Sequence, residues 1–294
     1  MNSVYIEITD VCNLHCSFCP CGVATGAERR TFMPSGLFEK CIEGAEQVGA
    51  QNVYFHVLGE PTFHPGFAHY VKKLEHTKLK LNLTTNGTTV ARCGHHILQS
   101  PAVRQVNFST HAYAELPQAE ATGHLQNVLD FCRIALMARP DLYINLRLWN
   151  VGDDMASAWN RYMLEQVNKA FGTQVEPGHF CSRHKSFEVT GRLYLHEDSR
   201  FEWPVAPASG TVQSGVSARG TCLALDTHCG ILHDGRVVAC CLDHGGQILL
   251  GRIQEQSLLE ILESPLAANL REGFQKHELR HPLCKTCSFC KRFK

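Results

Sequence analysis

Three cysteines near the start of the chain have the spacing of ligands to a single metal centre. Cys12, Cys16 and Cys19 form the pattern C-x3-C-x2-C and follow residues 4–9, an alternating and β-branched run. Such a run is typical of a strand, so the thiols are expected on the loop that leaves the first strand. Thiolates are the usual protein ligands of iron–sulfur clusters, and three of them hold three corners of a cubane. The fourth iron keeps an open position, at which a small molecule can bind and be reduced.

Zinc is the alternative metal for these three thiols. Structural zinc takes four protein ligands, and no fourth Cys or His stands at zinc-finger spacing, because His15 lies inside the loop. The pattern therefore favours an iron–sulfur cluster with chemistry at the metal.

A second group of cysteines lies in the last quarter of the chain. Its members are Cys222, Cys229, Cys240, Cys241, Cys284, Cys287 and Cys290. Asp234-Gly235 stands between two apolar runs and predicts a hairpin, which would present Cys222 and Cys240 from adjacent backbone. Cys284 and Cys287 complete a four-thiolate site. Thiolate spacing does not distinguish an iron–sulfur cluster from structural zinc, so both metals remain open at this site.

The number of thiols limits how many clusters the second group can hold. Two closed four-thiolate clusters require eight thiols, whereas this group contains seven. One auxiliary cluster is therefore expected, and a second closed cluster would need Cys181 as a further ligand.

The elements that must position these residues alternate between strand and helix. Strands are expected at residues 4–9, 52–58, 79–84, 103–109 and 142–148. Helices are expected at residues 34–50, 67–74, 88–99, 125–136 and 159–170. This alternation predicts an α/β fold with a parallel sheet, in which functional sites lie just beyond the carboxyl ends of the strands. Residues 187–195 are the candidate for a sixth strand.

The chain after residue 200 has a different composition. Residues 201–220 are rich in Pro, Ser, Gly and Ala and are interpreted as a connector. Residues 256–264 predict a short helix, with a break or kink at Pro265. The expected domains are thus residues 1–200 and 221–294, joined by this connector.

Composition excludes several classes of function. Hydrophobic residues make up 44% and charged residues 19% of the 294 residues, as in soluble globular proteins. Lys plus Arg and Asp plus Glu number 28 each, so no basic field favours nucleic acid. Neither a signal peptide nor an apolar stretch of about 20 residues is present, so a cytoplasmic protein without membrane contact is expected. In that compartment the fifteen cysteines are expected as thiols or metal ligands.

The first cysteine pattern resembles the signature of one enzyme superfamily. C-x3-C-x-aromatic-C, with Phe18 as the aromatic residue, is similar to the motif of the radical S-adenosylmethionine (SAM) enzymes. The resemblance implies a 4Fe-4S cluster whose open iron chelates SAM, and a one-electron cleavage of SAM to a 5′-deoxyadenosyl radical that takes a hydrogen atom from the substrate. It also implies a partial (β/α)6 TIM-like barrel and a flavodoxin- or ferredoxin-type electron donor.

The same resemblance implies residues that bind SAM. Gly59-Glu60-Pro61 resembles the family's Gly-Gly-Glu-Pro segment, with Leu58 in place of the first glycine. Glu60 is the expected acceptor for the ammonium group of the methionine moiety. Asn86, Ser109 and Arg147 stand at or near the ends of the third, fourth and fifth strands, where the family binds the ribose hydroxyls and the carboxylate.

Two further residues are candidates for donating a hydrogen atom to a substrate radical. They are Cys181 and Tyr194, and the interpretation of Cys181 follows epimerising relatives, in which a cysteine has this role. A small buried thiol is the alternative interpretation of Cys181.

The second cysteine group resembles the auxiliary-cluster domains called SPASM and, in a shorter form, Twitch. The order Cys, Asp-Gly-x-Val-x-x-Cys-Cys, Leu-Gly-x-Ile and Cys-x2-Cys is shared, although Arg252 replaces an asparagine of the family. The resemblance implies Cys222, Cys240, Cys284 and Cys287 as ligands of a second 4Fe-4S cluster in a small α+β domain. It leaves Cys241 as an alternative to Cys240.

The leading hypothesis is a radical SAM oxidoreductase or epimerase with one auxiliary cluster. The first strand begins almost at residue 1, which leaves no room before it for a leader-peptide-binding domain. A small molecule such as a sugar or aminocyclitol, or a short peptide, is therefore the expected substrate. The alternatives are an RNA-modifying radical SAM enzyme and a non-enzymatic zinc or iron–sulfur module that acts as a staple or redox sensor.

Overall fold

Strands and helices alternate along most of the chain. The computed structural model describes residues 1–23, 31–176, 185–200, 202–205 and 217–292. The strands are β1 (Ser3–Ile6), β2 (Asn52–Tyr54), β3 (Lys80–Thr85), β4 (Val103–Phe108), β5 (Tyr143–Leu148), β6 (Ser186–Thr190), β7 (Leu193–Glu197), β8 (His228–Ile231), β9 (Arg236–Val238) and β10 (Leu249–Arg252). The α-helices are α1 (Pro20–Val23), α2 (Ser35–Gln47), α3 (Phe67–Leu74), α4 (Val90–Gln99), α5 (Gln118–Ala138), α6 (Ser157–Phe171), α7 (Leu258–Leu262), α8 (Pro265–Gln275) and α9 (Pro282–Thr286).

These elements form two compact units. Unit 1 contains Met1–Gly66, His76–Lys80 and Phe201–Lys294, and unit 2 contains Phe67–Glu75 and Leu81–Arg200. The domain boundaries expected at residues 200 and 221 remain a prediction.

Unit 1 is built on β1. This strand pairs in parallel with β2 on one side and with β8 on the other, and β9 and β10 extend the sheet antiparallel beyond β8. Val4 and Ile6 of β1 are fully buried, as is Phe38 of the adjacent helix α2. The alternation of buried and half-buried residues along β1 places Tyr5 on the opposite face. The carboxyl ends of three parallel strands therefore meet at one edge of unit 1.

Unit 2 contains the other parallel strands. Here β3, β4, β5 and β7 pair in parallel in that order, and β6 pairs antiparallel with β7 at the edge. One face of this sheet is apolar and fully buried, as Val106, Leu146 and Leu195 show. Helix α5 contacts both α4 and α6 within this unit. The helix and strand pattern confirms the predicted α/β fold with a parallel sheet.

The predicted sixth strand is wrong in its form. Residues 187–195 do not form one strand, because the chain turns at Gly191, whose φ of 55° lies in the left-handed region that favours glycine. The result is the β6–β7 hairpin, of which β7 pairs in parallel with β5. The second strand is also shorter than expected, because β2 ends at Tyr54.

The C-terminal predictions are confirmed at two points. Strands β8 and β9 form the hairpin predicted at Asp234-Gly235, and Gly235 has φ of 85°. The expected break occurs between α7 and α8, where Ser264 caps α8 and Pro265 is its first residue. Within the described ranges, no helix combines the length and the apolar character needed to cross a bilayer.

Candidate active site

The loop that carries the first three cysteines leaves the carboxyl end of β1 in unit 1. Hydrogen bonds fix its first residues: the Val11 N–H donates to Thr9 Oγ1 (3.0 Å), and that hydroxyl donates to the Thr31 carbonyl (2.9 Å). The Thr31 N–H in turn donates to Asp10 Oδ1 (2.6 Å). The backbone is therefore held on both sides before the first thiol.

The three thiols themselves are partly exposed. The Leu14 N–H donates to Cys12 Sγ (3.4 Å), and the Cys19 N–H donates to the Cys16 carbonyl (3.1 Å). A hydrogen bond with the Cys21 thiol, burial and the nearby charge of Glu60 together raise the pKa of Cys12. Phe18 lies half-buried in the same loop.

The segment after β2 contacts this loop directly. The Glu60 N–H donates to the Val11 carbonyl (2.8 Å). Gly59 has φ of 72°, and a Cβ at this position would collide with the Thr9 carbonyl and the Asp10 backbone. Only glycine allows so close an approach. Gly59 is therefore required by the packing of two backbone segments, which the sequence alone did not reveal.

Glu60 and Pro61 begin the 3-10 helix Pro61–Phe63. Glu60 is 2% exposed, and its Oε1 accepts hydrogen bonds from the N–H and the hydroxyl of Thr62. The carboxylate is thus oriented by Thr62, which the sequence analysis did not identify.

The chemistry of these donors fits the cluster that the sequence predicts. The three spaced positions offer sulfur alone, and thiolates suit iron–sulfur clusters. Cys12, Cys16 and Cys19 therefore have the donor chemistry that the first cluster would require.

The other predicted SAM ligands lie in unit 2. Asn86 follows β3, and its Oδ1 accepts hydrogen bonds from the N–H (3.0 Å) and the hydroxyl (2.8 Å) of Thr88. Ser109 follows β4 and is half-buried, and its N–H donates to the Thr85 carbonyl (2.8 Å). Asn86 and Ser109 therefore both stand at the predicted strand ends. The amide oxygen of Asn86 already accepts hydrogen bonds within its own turn.

Arg147 lies near the end of β5 beside an aromatic residue. Its guanidinium carbon is 4.4 Å from the centre of the Trp149 ring, and Nη1 donates to Thr84 Oγ1 (3.5 Å). The Trp149 ring also stacks on His111, with ring centres 6.3 Å apart. Burial lowers the pKa of His111 to about 4, although its hydrogen bond to the Arg147 carbonyl opposes this shift. His111 is therefore neutral near pH 7. No sequence motif indicated that Arg147, Trp149 and His111 would cluster.

The second cysteine group lies in unit 1. Cys240 follows β9, Cys284 lies on α9, and Cys287 ends that helix. Burial raises the pKa of Cys284 to about 12, and the nearby charges of Cys222, Cys287, Asp243 and Cys290 add to the shift.

Cys240 belongs to the same cluster of thiols. Burial raises its pKa well above the ordinary value, and the charges of Cys241, Cys222 and Cys284 add to this effect. All four predicted auxiliary ligands are therefore close enough to interact electrostatically. A donor set made of thiols fits an iron–sulfur cluster.

The remaining C-terminal cysteines differ in their surroundings. The Cys290 thiol donates to the Cys287 carbonyl (3.0 Å), so Cys290 joins the auxiliary group. Cys229 is fully buried on β8, and its charge adds to the burial that raises the pKa of the buried Cys41. Cys229 is therefore a core residue. Cys181 lies outside the described residues, and Tyr194 is half-buried on β7.

Two family models match this chain. Residues 6–146 match the radical SAM superfamily, and residues 222–291 match SPASM, an iron–sulfur cluster-binding domain. Together the matches cover more than two thirds of the chain. The first match contains Cys12, Cys16 and Cys19, and the second contains the predicted auxiliary ligands.

Two curated archaeal proteins are similar over part of the chain. The tungsten-containing aldehyde ferredoxin oxidoreductase cofactor-modifying protein of Pyrococcus furiosus is 35% identical over 89 residues, which are 30% of this chain and 24% of that protein. A probable GTP 3′,8-cyclase of Pyrococcus horikoshii is 29% identical over 130 residues, which are 44% of this chain and 40% of that protein. The similarity thus spans less than half of either relative.

Solved structures resemble nearly the whole chain in fold. BtrN in complex with AdoMet and 2-DOIA aligns with a TM-score of 0.54 at 15% identity, over 98% of this chain and 93% of BtrN. Native anSMEcpe with bound AdoMet and the Cp18Cys peptide aligns with a TM-score of 0.57 at 15% identity, over 98% of this chain and 87% of anSMEcpe.

These findings confirm the family, the partial TIM-like barrel fold and the cofactors expected from the sequence. The radical SAM domain binds a 4Fe-4S cluster and SAM, and the SPASM domain binds auxiliary iron–sulfur clusters. The chain is an enzyme of the radical SAM superfamily with a C-terminal SPASM domain.

Proposed function

We propose that this enzyme abstracts a hydrogen atom from a small-molecule or peptide substrate and completes an oxidation or an epimerisation. The observation that carries the proposal is the loop of Cys12, Cys16 and Cys19, which is fixed against the strand-end segment at Gly59. When bound, the cluster supplies the electron that cleaves the sulfonium of SAM and starts hydrogen-atom abstraction.

The chain's own residues bind and orient SAM. Glu60 accepts hydrogen bonds from the ammonium group of SAM. Its buried carboxylate, oriented by Thr62, is suited to this role. Arg147, supported from one side by the Trp149 ring, pairs with an anionic group of the ligand. Asn86 and Ser109 bind ribose hydroxyls, and Phe18, Gly59 and Pro61 shape the backbone around the cofactor.

The auxiliary site provides a second redox centre. Cys222, Cys240, Cys284 and Cys287 would hold one 4Fe-4S cluster, which would supply one-electron redox chemistry for an oxidation or an epimerisation. In an epimerisation, a residue such as Cys181 donates the hydrogen atom. A flavodoxin- or ferredoxin-type protein supplies the first electron.

Known structures support both substrate classes. BtrN was solved with 2-DOIA and anSMEcpe with a peptide, and both resemble this chain in fold. We take these ligands as support for a substrate that is either a small molecule or a peptide segment.

Anaerobic reconstitution tests the proposal. The reduced wild-type enzyme with SAM should release 5′-deoxyadenosine, and Cys16→Ala should release none above background. Cys21→Ser is the matched control, because Cys21 lies beside the same loop, outside the three-cysteine pattern, and serine keeps a donor for the Asp10 carbonyl. Equal release from the wild type and Cys16→Ala would refute the proposal.

A further inference from the structure

Polar residues line one face of the parallel sheet in unit 2. The strand register places Thr84 of β3, Asn107 of β4, Asn145 of β5 and Tyr194 of β7 side by side in one row. A second row toward the amino ends contains Asn82, Gln105 and Tyr143. The two rows form a continuous polar surface, which we call the amide face.

The amide face is unusual for a parallel sheet. Parallel strands are commonly buried on both faces and read as apolar runs, and the opposite face of these strands follows that rule. Asn145 and Tyr194 are half-buried, and burying such polar groups costs free energy unless they form hydrogen bonds. The face therefore needs hydrogen-bonding partners.

Asn107 fixes the orientation of the neighbouring amides. It is fully buried, and its Nδ2 donates to the Leu83 carbonyl (3.3 Å) and to Thr84 Oγ1 (3.3 Å). Because a backbone carbonyl can only accept, the Asn107 amide cannot be turned the other way. Its Oδ1 therefore accepts from Gln105 Nε2 (2.8 Å) and from Asn145 Nδ2 (2.9 Å). All four hydrogen-bonding positions of Asn107 are filled.

This orientation determines what Asn145 presents. One N–H of Asn145 is used on Asn107, which leaves its Oδ1 and its second N–H without a protein partner among the described residues. An amide acceptor beside an amide donor is complementary to the N–H and C=O of one residue in an extended peptide. Tyr194 is the next residue in the same row, and its ring stacks on that of Tyr143.

The charges around the amide face favour a neutral or anionic ligand. Arg147 lies at its carboxyl end, and the Arg104 and Arg192 guanidinium groups lie 5.2 and 4.4 Å from the centre of the Tyr143 ring. On the described strands β3, β4, β5 and β7, this face carries no Asp or Glu, because Glu197 belongs to the apolar side. Glu188 stands opposite Tyr194 on the exposed edge strand β6.

A cationic substrate would therefore find no carboxylate on the described strands of this face to balance its charge. An aminocyclitol carries ammonium groups, and the nearby guanidinium groups would repel them. A peptide backbone is neutral and rich in amide donors and acceptors.

We propose that the row of Thr84, Asn107, Asn145 and Tyr194 binds the substrate, and that Asn145, oriented by Asn107, forms a two-point contact with the N–H and C=O of one residue of a peptide substrate. This inference rests on the function proposed above and selects a peptide as the substrate class.

Ligand-observed saturation-transfer NMR on the reconstituted enzyme tests the inference. The probe is N-acetyl-diglycine N-methylamide, which carries only backbone amides, and myo-inositol is the polyol arm. The diglycine signal should fall at least fivefold in Asn145→Leu and about threefold in Tyr194→Phe, which removes a single hydroxyl. The wild type should give no signal with myo-inositol.

Gln105→Leu is the matched control. Gln105 and Asn145 donate to the same oxygen of Asn107, so each variant removes one hydrogen bond of the same network. Gln105→Leu should keep the diglycine signal within twofold of the wild type, and both leucine variants should keep the wild-type affinity for SAM.

Three results would overturn the inference. They are equal loss in Asn145→Leu and Gln105→Leu, myo-inositol binding in place of diglycine, and weaker SAM binding in Asn145→Leu with the diglycine signal unchanged. Failure of the proposed function would look different, because the wild type would then form no 5′-deoxyadenosine whatever its binding of the probe.

Discussion

His233 Nδ1 lies 2.7 Å from Oε1 of Glu7, although 226 positions separate the two residues in the chain. Glu7 follows β1 and His233 follows β8, so their contact joins the carboxyl ends of two parallel strands in unit 1. The second carboxylate oxygen of Glu7 accepts the Leu58 N–H (2.8 Å). Glu7 is 2% exposed and thus connects the segments that follow three strands.

The first prediction concerns this pair. Burial alone lowers the pKa of His233, but the hydrogen bond to Glu7 and the charges of Glu7, Asp10 and Asp234 raise it overall. The charged pair therefore stabilises the fold fully below the ordinary histidine value of 6.5, and this contribution is lost as pH rises through the higher folded pKa. His233→Gln should lower the thermal midpoint most at acidic pH. The free energy of unfolding should fall there by about 3 kcal/mol. An equal loss at all pH values would contradict a charged pair.

A second prediction concerns Gly59. Gly59→Ala should lower SAM affinity at least tenfold and reduce iron incorporation, because the new Cβ would displace the backbone before Cys12. Gly49→Ala is the matched control, since Gly49 has φ of 71° and no atom within 4 Å of an added Cβ. Each substitution should destabilise the fold by about 1 kcal/mol, because alanine is strained at positive φ. The control should nevertheless bind SAM with the affinity of the wild type. Equal SAM affinities in the two variants would show that the contact with Thr9 is unimportant.

The third prediction separates two adjacent cysteines. Cys240→Ala should lose about four irons per chain, because one cubane is lost, whereas Cys241→Ala should keep the iron content of the wild type. Iron analysis after anaerobic reconstitution measures both. Release of 5′-deoxyadenosine without substrate should continue in each variant, because the first cluster is unchanged. Iron loss in Cys241→Ala alone would reverse the assignment.

A fourth prediction concerns acid stability. Burial holds the pKa of His111 at about 4, below the ordinary value of 6.5, so the unfolded chain binds the proton more readily. The contribution of His111 to stability should therefore fall as pH drops from 6.5 toward 4. His111→Asn should flatten this part of the pH profile in thermal unfolding. An unchanged slope would mean that His111 is not buried as the structure shows.

The sequence predicted the parts of the molecule that depend on local patterns. The spacing of Cys12, Cys16 and Cys19, the hairpin at Asp234-Gly235 and the alternating strands and helices are all local signals, and the structure contains them. The β6–β7 hairpin was missed because a single glycine decides between a turn and a continuous strand.

Long-range relationships were beyond the sequence alone. The pairing of Glu7 with His233 and the backbone contact of Gly59 with Thr9 depend on tertiary packing. The amide face also needed the structure, because strand register decides which polar residues share a row.

The central claim is that the iron centre held by Cys12, Cys16 and Cys19 keeps one position for SAM. Electron paramagnetic resonance of the reduced Cys240→Ala enzyme tests it most directly, because the auxiliary cluster should be absent from this variant. Addition of SAM labelled with ¹⁵N at its amino group should change the spectrum and produce a coupling from that nitrogen. Zinc at the N-terminal site, or a spectrum that SAM leaves unchanged, would contradict the account.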